Sequence, residues 1–190
     1  MGKITVTDCF AQDGTKIEGL KVIDPTVFKD ERGYFVETYN LNDMKEHGLD
    51  MVFVQDNQSM SVRGVLRGLH YQKQFPQGKL VRAIRGTVFD VAVDLRTASA
   101  TYGKWFGVEL SAENKRQFYI PEGFAHGFLV LSDEAEFAYK CTDFYHPGDE
   151  GGLAWNDPEI GVAWPIAEDM NLIISAKDQK WGGMSETFKF

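Results

Sequence analysis

The sequence lacks most of the features that identify large classes of protein. Its 190 residues include two cysteines, Cys9 and Cys141, which are too few for a disulfide framework. It has no apolar run long enough to span a bilayer, and residues 1–10 lack the apolar segment of a signal peptide. It contains neither a Walker phosphate loop nor the glycine-rich turn of dinucleotide-binding folds. These absences predict a reduced, cytoplasmic protein without a membrane segment.

Positive charge is also scarce, with 20 Lys and Arg against 28 Asp and Glu, a net charge of −8 and a pI of about 5.0. Such a charge argues against nucleic acid or an anionic membrane as a partner. Between residues 57 and 89 the balance reverses. This window has no acidic residue, and its basic residues are Arg63, Arg67, Lys73, Lys79, Arg82 and Arg85. A cationic block in an acidic chain indicates a pocket for an anion, and His70 adds a titratable group to it.

The composition is typical of many short strands joined by tight turns, since 13% of the residues are aromatic and 19 are glycine. Apolar residues alternate with other residues over 89–95, which predicts a half-buried strand. Further strands are predicted at 20–23, 34–39, 52–59, 65–71, 80–84, 105–110, 117–120, 127–131 and 136–145. Helical patterns are short, at 41–47 after Asn40 and from Ser175 onward. The sequence therefore predicts one all-β domain over 1–190, a sandwich or a barrel with a few short helices.

Two predicted strands carry polar residues that a dry core does not explain. In the strand 136–145, residues 137, 139, 141, 143 and 145 share a face, which places Tyr139, Asp143 and Tyr145 together. This face fits the wall of a wet cavity, or alternatively a solvent-facing edge strand. In the strand 65–71, Arg67 and His70 point to opposite faces. A bulge at Gly68 would bring both into one site.

The candidate catalytic residues also have ordinary structural interpretations. His70 has no ligand partner two or four residues away, so a structural role competes with a catalytic one. Asp178 closes the pattern Ser175-Ala-Lys-Asp, which is typical of a capping box and favours a structural role. Tyr139 on its own is a common strand residue.

The histidine pattern argues against a bound transition metal. The four histidines, at 47, 70, 126 and 146, show no ligand spacing. The segment 121–126, PEGFAH, matches the second half of the cupin pattern, Pro-x-Gly-x-x-His. The first half, His-x-His with a following Glu, is missing. The sequence therefore predicts no metal.

Longer motifs resemble those of the dTDP-4-dehydrorhamnose 3,5-epimerases over about residues 19–181. They occur in the family's order as DERGYFVE at 30–37, FVQDNQS at 53–59, RGVLRGLHYQ at 63–72, QGKLV at 77–81, GTVFDVAVDLR at 86–96, IPEGFAHGF at 120–128, YKCT at 139–142 and WNDP at 155–158. The resemblance implies a cupin-type jelly roll that works as a homodimer without a cofactor. It also implies conversion of dTDP-4-dehydro-6-deoxy-D-glucose to dTDP-4-dehydro-L-rhamnose.

The resemblance further implies roles for individual residues. His70 matches the general base, Asp178 the residue that orients it, Tyr139 the general acid on the opposite face of the sugar, and Lys79 a residue near the C4 oxygen. The implied substrate-binding residues are Arg32, Phe35, Glu37, Gln55, Asn57, Arg67, His126, Glu150 and Lys177, with Tyr145 stacking on thymine. The segment from His70 to Lys79 is a residue shorter than in many members, which leaves the reach of Lys79 open. Arg32 is expected to serve the neighbouring subunit's site.

Three alternatives remain open at the level of sequence. The first is a 3-epimerase or 5-epimerase of another dTDP-4-ketodeoxysugar, with the same fold and base. The second is a metal-dependent cupin enzyme. The third is a non-catalytic sugar-binding jelly roll, in which the pairing of His70 with Tyr139 is accidental.

Overall fold

A computed structural model describes residues 3–190, so Met1 and Gly2, the first residues of the predicted domain, lie outside it. One α-helix, α1 (Leu41–Glu46), and short 3₁₀ turns at Pro147–Asp149, Asp178–Lys180 and Met184–Glu186 interrupt a chain of strands. The strands are β1 (Ile4–Phe10), β2 (Lys16–Pro25), β3 (Val27–Asp30), β4 (Gly33–Val36), β5 (Gln55–Val62), β6 (Val65–Gln72), β7 (Lys79–Arg85), β8 (Thr87–Asp94), β9 (Trp105–Ser111), β10 (Gln117–Ile120), β11 (Phe124–Val130), β12 (Glu134–Cys141), β13 (Glu150–Gly152) and β14 (Ile173–Ile174).

The strands form two large sheets and one hairpin. The first sheet has the order β1-β2-β10-β7-β12-β5, and the second has the order β13-β6-β11-β8-β9. All pairs in these orders are antiparallel, whereas β14 adds a short parallel pairing to the start of β6. The hairpin β3–β4 stands apart as its own two-stranded sheet. This is a jelly-roll β-sandwich, and the predicted all-β fold class is confirmed.

The main core lies between the two large sheets. Phe118 and Phe137 from the first sheet pack in one cluster with Leu110 and Phe128 from the second, and all four are buried. Burying a large apolar side chain of this kind contributes roughly 1.5–3 kcal/mol relative to leaving it in water. The inward faces of the sheets therefore hold the sandwich together.

The outer face of the second sheet is covered as well, which corrects the prediction for 89–95. That segment belongs to β8, which is buried on both faces and not half-buried as predicted. Ala92 faces the core between the sheets, whereas Val91 and Val93 pack in a second cluster under the C-terminal segment. The alternation is present, but the face that the pattern assigned to solvent, which carries Ala92, lies in the core between the sheets. The C-terminal segment covers the apolar face, which carries Val91 and Val93.

Helix α1 forms where the sequence predicted it and covers part of the first sheet. Asn40 caps it, since its side-chain oxygen accepts hydrogen bonds from the backbone N–H groups of Asn42 and Asp43. Met44 is buried against Ile23 of β2. The helix predicted from Ser175 is wrong, because this region contains only single 3₁₀ turns.

The end of β12 differs from the prediction because its neighbouring strand begins opposite Cys141. The strand predicted over 136–145 ends at Cys141, because Cys141 pairs with Gln55 at the first residue of β5 and the ladder has no partner beyond it. The backbone N–H of Tyr145 instead donates to the side-chain oxygen of Gln55. The shared face predicted for Tyr139, Asp143 and Tyr145 therefore does not extend past Cys141.

Candidate active site

A cavity of about 620 Å³ lies between the two large sheets. Its walls include seven residues predicted for the site, namely Arg67, His70, Lys79, His126, Tyr139, Lys177 and Asp178. A neighbouring cavity of about 310 Å³ is lined by four more, namely Gln55, Asn57, Tyr145 and Glu150. The two cavities share His70, Lys79 and Tyr139. The structure therefore gathers eleven of the fourteen predicted site residues around one continuous region.

The predicted bulge at Gly68 is present in β6. His70 pairs with His126 and Arg67 pairs with Phe128, so three steps along β6 match two steps along β11. Gly68 has a φ of 124°, and a Cβ at this position would lie 2.6 Å from the Cα of Gly127. Only glycine fits such a position. The extra residue brings Arg67 and His70 to the same cavity, as predicted.

His70 is held by a buried carboxylate. Its Nε2 lies 2.6 Å from Oδ1 of Asp178, which is only 3% exposed. Asp178 also accepts hydrogen bonds from the backbone N–H of Gly68 at 3.3 Å and from Nε1 of Trp181 at 3.3 Å. Burial acts to raise the pKa of Asp178, but these donors and the nearby imidazole outweigh burial and hold the pKa below its usual value. The carboxylate therefore stays ionised beside the imidazole.

This arrangement changes the interpretation of the Ser175 pattern. The hydroxyl of Ser175 does accept a hydrogen bond from the backbone N–H of Asp178, at 3.1 Å, so half of a capping box is present. The carboxylate of Asp178, however, bonds to His70, Gly68 and Trp181. The capping role that the sequence favoured for the Asp178 side chain is therefore wrong, because its carboxylate does not bond back to the Ser175 backbone. The serine fixes the turn, and the turn aims the carboxylate at His70.

Tyr139 approaches the cavity from the opposite wall. It lies on β12 of the first sheet, between Val81 of β7 and Asn57 of β5, whereas His70 lies on β6 of the second sheet. Burial raises the pKa of the Tyr139 phenol, because the phenolate would lose most of its hydration. Tyr139 therefore keeps its proton at neutral pH. An imidazole and a protonated phenol face one cavity from two different sheets.

Lys79 lies at the start of β7 and lines both cavities. Burial lowers the pKa of its ammonium group, although the nearby Cys141, Asp90 and Glu150 oppose this shift. Among residues 3–190 no carboxylate comes close enough to Lys79 to form a salt bridge. A half-buried cation without an ion-pair partner among these residues is suited to bind an oxygen that gains negative charge.

Asp90 is a site residue that the sequence analysis missed. It is fully buried on β8, and both of its carboxylate oxygens lie 3.0 Å from Nε2 of His126. Burial raises the pKa of Asp90 and lowers the pKa of His126, while the attraction between the two opposes both shifts. The sequence held one signal for it, a carboxylate in the middle of an otherwise apolar strand. Trp181 was also missed, because its hydrogen bond to Asp178 is known only from the fold.

The residues predicted to bind the nucleotide form a polar rim. Lys177 and Glu150 make a salt bridge of 2.8 Å between the turn 178–180 and β13. Gln55 donates to Asn57 at 3.0 Å, and the ring of Tyr145 is 50% exposed beside them. An exposed aromatic ring next to amide groups offers a stacking surface with hydrogen-bonding partners.

Three predicted substrate-binding residues lie away from this cavity within the chain. Arg32 and Phe35 belong to the β3–β4 hairpin, where the Arg32 side chain is 85% exposed and pairs with Asp30. Phe35 is also exposed. Glu37 follows the hairpin and accepts a hydrogen bond from Asn40, while its Oε2 is buried without a partner among residues 3–190. A single chain does not bring these three residues to His70.

Comparison with known proteins identifies the family. The family model described as dTDP-4-dehydrorhamnose 3,5-epimerase matches residues 14–186. The chain belongs to this family. A dTDP-4-dehydrorhamnose 3,5-epimerase from Methanothermobacter thermautotrophicus is 60% identical over 172 residues, which cover 90% of this chain and 93% of the relative. The enzyme of the same name from Escherichia coli K12 is 51% identical, over 92% of this chain and 95% of the relative.

A solved structure supports the same family at the level of the fold. The epimerase of Legionella pneumophila Philadelphia 1, crystallised with dTDP-4-keto-L-rhamnose, matches with a TM-score of 0.89 and 47% identity. The match covers 98% of this chain and 99% of that chain. The predicted family, the cupin-type jelly roll and the predicted enzyme class, an isomerase of the epimerase type, are thereby confirmed.

The described residues contain neither a metal-binding cluster nor a membrane-spanning helix. Within residues 3–190 no three His, Cys, Asp or Glu side chains cluster in a way that could hold a metal ion. In the same range, no helix has both the length and the apolar character needed to cross a membrane.

Proposed function

We propose that this epimerase inverts both C3 and C5 of dTDP-4-dehydro-6-deoxy-D-glucose, with His70 as general base and Tyr139 as general acid. The observation that carries the proposal is the placement of these two groups on opposite sheets across one cavity. Inversion requires that a proton leave one face of a carbon and return to the other. Two acid–base groups on opposite walls meet this requirement, whereas one group alone would return the proton to its original face.

The first half of the reaction is removal of a proton next to the C4 ketone. The neutral imidazole of His70 takes the proton, the C–H electron pair forms a C=C bond to C4, and the carbonyl π electrons move onto the C4 oxygen. Lys79 stabilises this oxyanion, and one well-placed donor of this kind is typically worth about 3–4 kcal/mol. Asp178 stabilises the imidazolium that forms and holds the ring in place.

The second half returns a proton from the other side. The Tyr139 hydroxyl protonates the carbon, the C=C electrons form the new C–H bond, and the C4 carbonyl is restored. Exchange with solvent then removes the proton from His70 and returns one to the Tyr139 phenolate. Both α carbons can pass through the same sequence. Acid–base assistance of this kind contributes roughly 10²–10⁴-fold.

Deuterium incorporation tests the proposal. In D₂O the product should carry deuterium at both C3 and C5, as read by NMR, and His70→Ala should abolish exchange at both carbons. His47→Ala is the matched control, because His47 caps the exposed end of α1 and its ring bonds the Asp43 carbonyl, far from both cavities. Product labelled at one carbon would indicate the single-site epimerase, and product without label would refute the mechanism.

We also propose that the protein is a homodimer in which the β3–β4 hairpin completes the partner's site. Arg32 and Phe35 are exposed and lie away from the cavity of their own chain. The outer face of the first sheet exposes Met60, Val62 and Ile84, an apolar surface of the kind that subunit contacts cover. The family resemblance assigns Arg32 and Phe35 to the substrate site, so a second chain must bring them there.

Mixing two inactive variants tests the shared site. If Arg32 acts on the partner's cavity, co-expressed Arg32→Ala and His70→Ala chains form heterodimers with one intact site. Random pairing then gives about one quarter of wild-type activity. Recovery near zero in purified heterodimers would place Arg32 in the site of its own chain, whereas wild-type activity of Arg32→Ala by itself would place Arg32 outside any site.

A further inference from the structure

We propose that Trp181 is a positioning residue for the His70–Asp178 pair, an inference that rests on the proposed function. Its indole N–H lies 3.3 Å from Oδ1 of Asp178, the same oxygen that bonds His70 Nε2 at 2.6 Å. Its ring also meets the imidazole edge to face, with centroids 6.3 Å apart and an interplanar angle of 73°. Trp181 thus contacts both His70 and Asp178, which line the cavity, but does not line the cavity itself.

The chain holds the indole in this position from two sides. Trp181 ends the turn Asp178–Lys180, which returns its side chain to the carboxylate three residues earlier. The next residue, Gly182, accepts a hydrogen bond from Ala154 at 2.8 Å through its carbonyl. Behind the ring lies Gly152 of β13, where a Cβ would come within 2.3 Å of two indole atoms.

Gly152 also links the indole to the strand that carries the base. It pairs with His70 in the β13–β6 register, so the ring lies over the backbone that directly flanks the imidazole. A glycine at this position leaves the space that the indole occupies. The strand pairing, the glycine and the turn therefore act together to fix the donor on Asp178.

The indole N–H has two consequences for the base. It restricts rotation of the carboxylate, which keeps the imidazole in the orientation for proton abstraction. It also shares Oδ1 with His70, so it weakens the attraction between the carboxylate and an imidazolium. Loss of this donor should therefore strengthen the attraction between the carboxylate and an imidazolium. Other charged or titratable groups also face the pair from neighbouring elements, namely Lys177, Glu150, Lys79, Asp90 and His126. A substitution of Trp181 leaves these groups unchanged.

Trp181→Phe tests the inference, because it keeps an aromatic ring and removes the N–H donor, although the ring becomes smaller. We expect kcat to fall about threefold to tenfold, as for loss of one modest hydrogen bond, with KM within about twofold. The acid limb of the kcat/KM profile should move to higher pH. Trp164→Phe is the matched control, since it also loses one indole hydrogen bond, to the Trp155 carbonyl, but lines neither cavity.

A merely structural role would lower stability without moving the pH profile. Wild-type kcat and an unmoved acid limb in Trp181→Phe would overturn the inference. Should that variant fold poorly, NMR of the wild-type protein provides a second measurement. One of the four indole N–H resonances should then titrate with the midpoint of the acid limb, and four unresponsive resonances would also overturn it. Failure of the wild-type protein to epimerise the dTDP-sugar would instead refute the proposed function.

Discussion

Asp178→Asn isolates the charge of the carboxylate, because the amide has nearly the same shape. Asp178 is buried and accepts three hydrogen bonds, of which the one from His70 is the shortest at 2.6 Å. An amide oxygen can still accept from His70, but a charge-assisted bond becomes a neutral one, a loss of about 1–2 kcal/mol. Two unit charges about 4 Å apart attract by about 4 kcal/mol at an effective dielectric constant near 20. If about half the imidazolium charge has formed in the transition state, about 2 kcal/mol of this attraction is lost there.

The weaker hydrogen bond affects ground state and transition state alike, so kcat reports the loss of about 2 kcal/mol, a fall of roughly 30-fold. KM should change little, because Asp178 is only 3% exposed and acts through His70. The assay is deuterium exchange at C3 and C5 under saturating substrate, with circular dichroism to check the fold. Asp169→Asn is the control, since Asp169 forms only an exposed salt bridge with Arg63. A kcat within threefold of wild type in folded Asp178→Asn would refute the orienting role of Asp178.

Two further predictions concern the opposite wall and the oxyanion. Tyr139→Phe should reduce net inversion by roughly 10²–10⁴-fold, whereas exchange of the substrate's own α protons should fall less, because His70 still abstracts them. Equal loss of exchange and inversion would contradict the role of Tyr139 as acid. Lys79→Met should lower kcat by roughly 10²–10³-fold, because the enolate loses its cation. Burial lowers the pKa of Lys79, so wild-type activity should begin to fall at a pH below about 10.4, the pKa of an exposed lysine. This alkaline loss of activity should be absent in Lys79→Met. If Lys79→Met still loses activity at alkaline pH, that loss belongs to a group other than Lys79.

The sequence predicted the strands well where local pattern and pairing agree. The strand 117–120 has the predicted bounds, and 65–71 and 105–110 each gain one residue. The predictions failed where a distant segment decides the outcome. Nothing near 89–95 shows that its apolar face packs under the C-terminal segment while its other face lies in the core between the sheets. Nothing near Cys141 shows that β5 begins opposite it. Strands β1 and β3 were missed, and their partners β2 and β4 are what make them strands.

The site was predictable to the extent that its residues carry a local signal. The acid-free block 57–89 contains Arg67, His70 and Lys79, and the bulge that joins the first two followed from Gly68. Asp178 had the opposite local signal, since its spacing from Ser175 favoured capping. Its role came from the family resemblance, and its geometry came from the fold. The resemblance gave no role to Asp90 or Trp181. Asp90 had only a weak local signal, and its partner His126 lies on another strand. Trp181 is three residues from Asp178, but it bonds the carboxylate only because the turn returns its side chain.

The fold accounts for why base and acid lie on different sheets. In a sandwich each cavity wall belongs to one sheet, and strands β6 and β12 present His70 and Tyr139 from the two walls. Without the bulge, Arg67 would point away from this cavity. Arg67 and His70 are three residues apart, and residues an odd number apart lie on opposite faces of a regular strand. The extra residue at Gly68 removes that conflict and places a cation and the base on the same wall. Gly68 also donates its N–H to Asp178, so the residue that breaks the alternation helps to fix the carboxylate that orients the base. Any side chain at Gly68 would therefore disturb the bulge, the position of Arg67 and the His70–Asp178 pair at once.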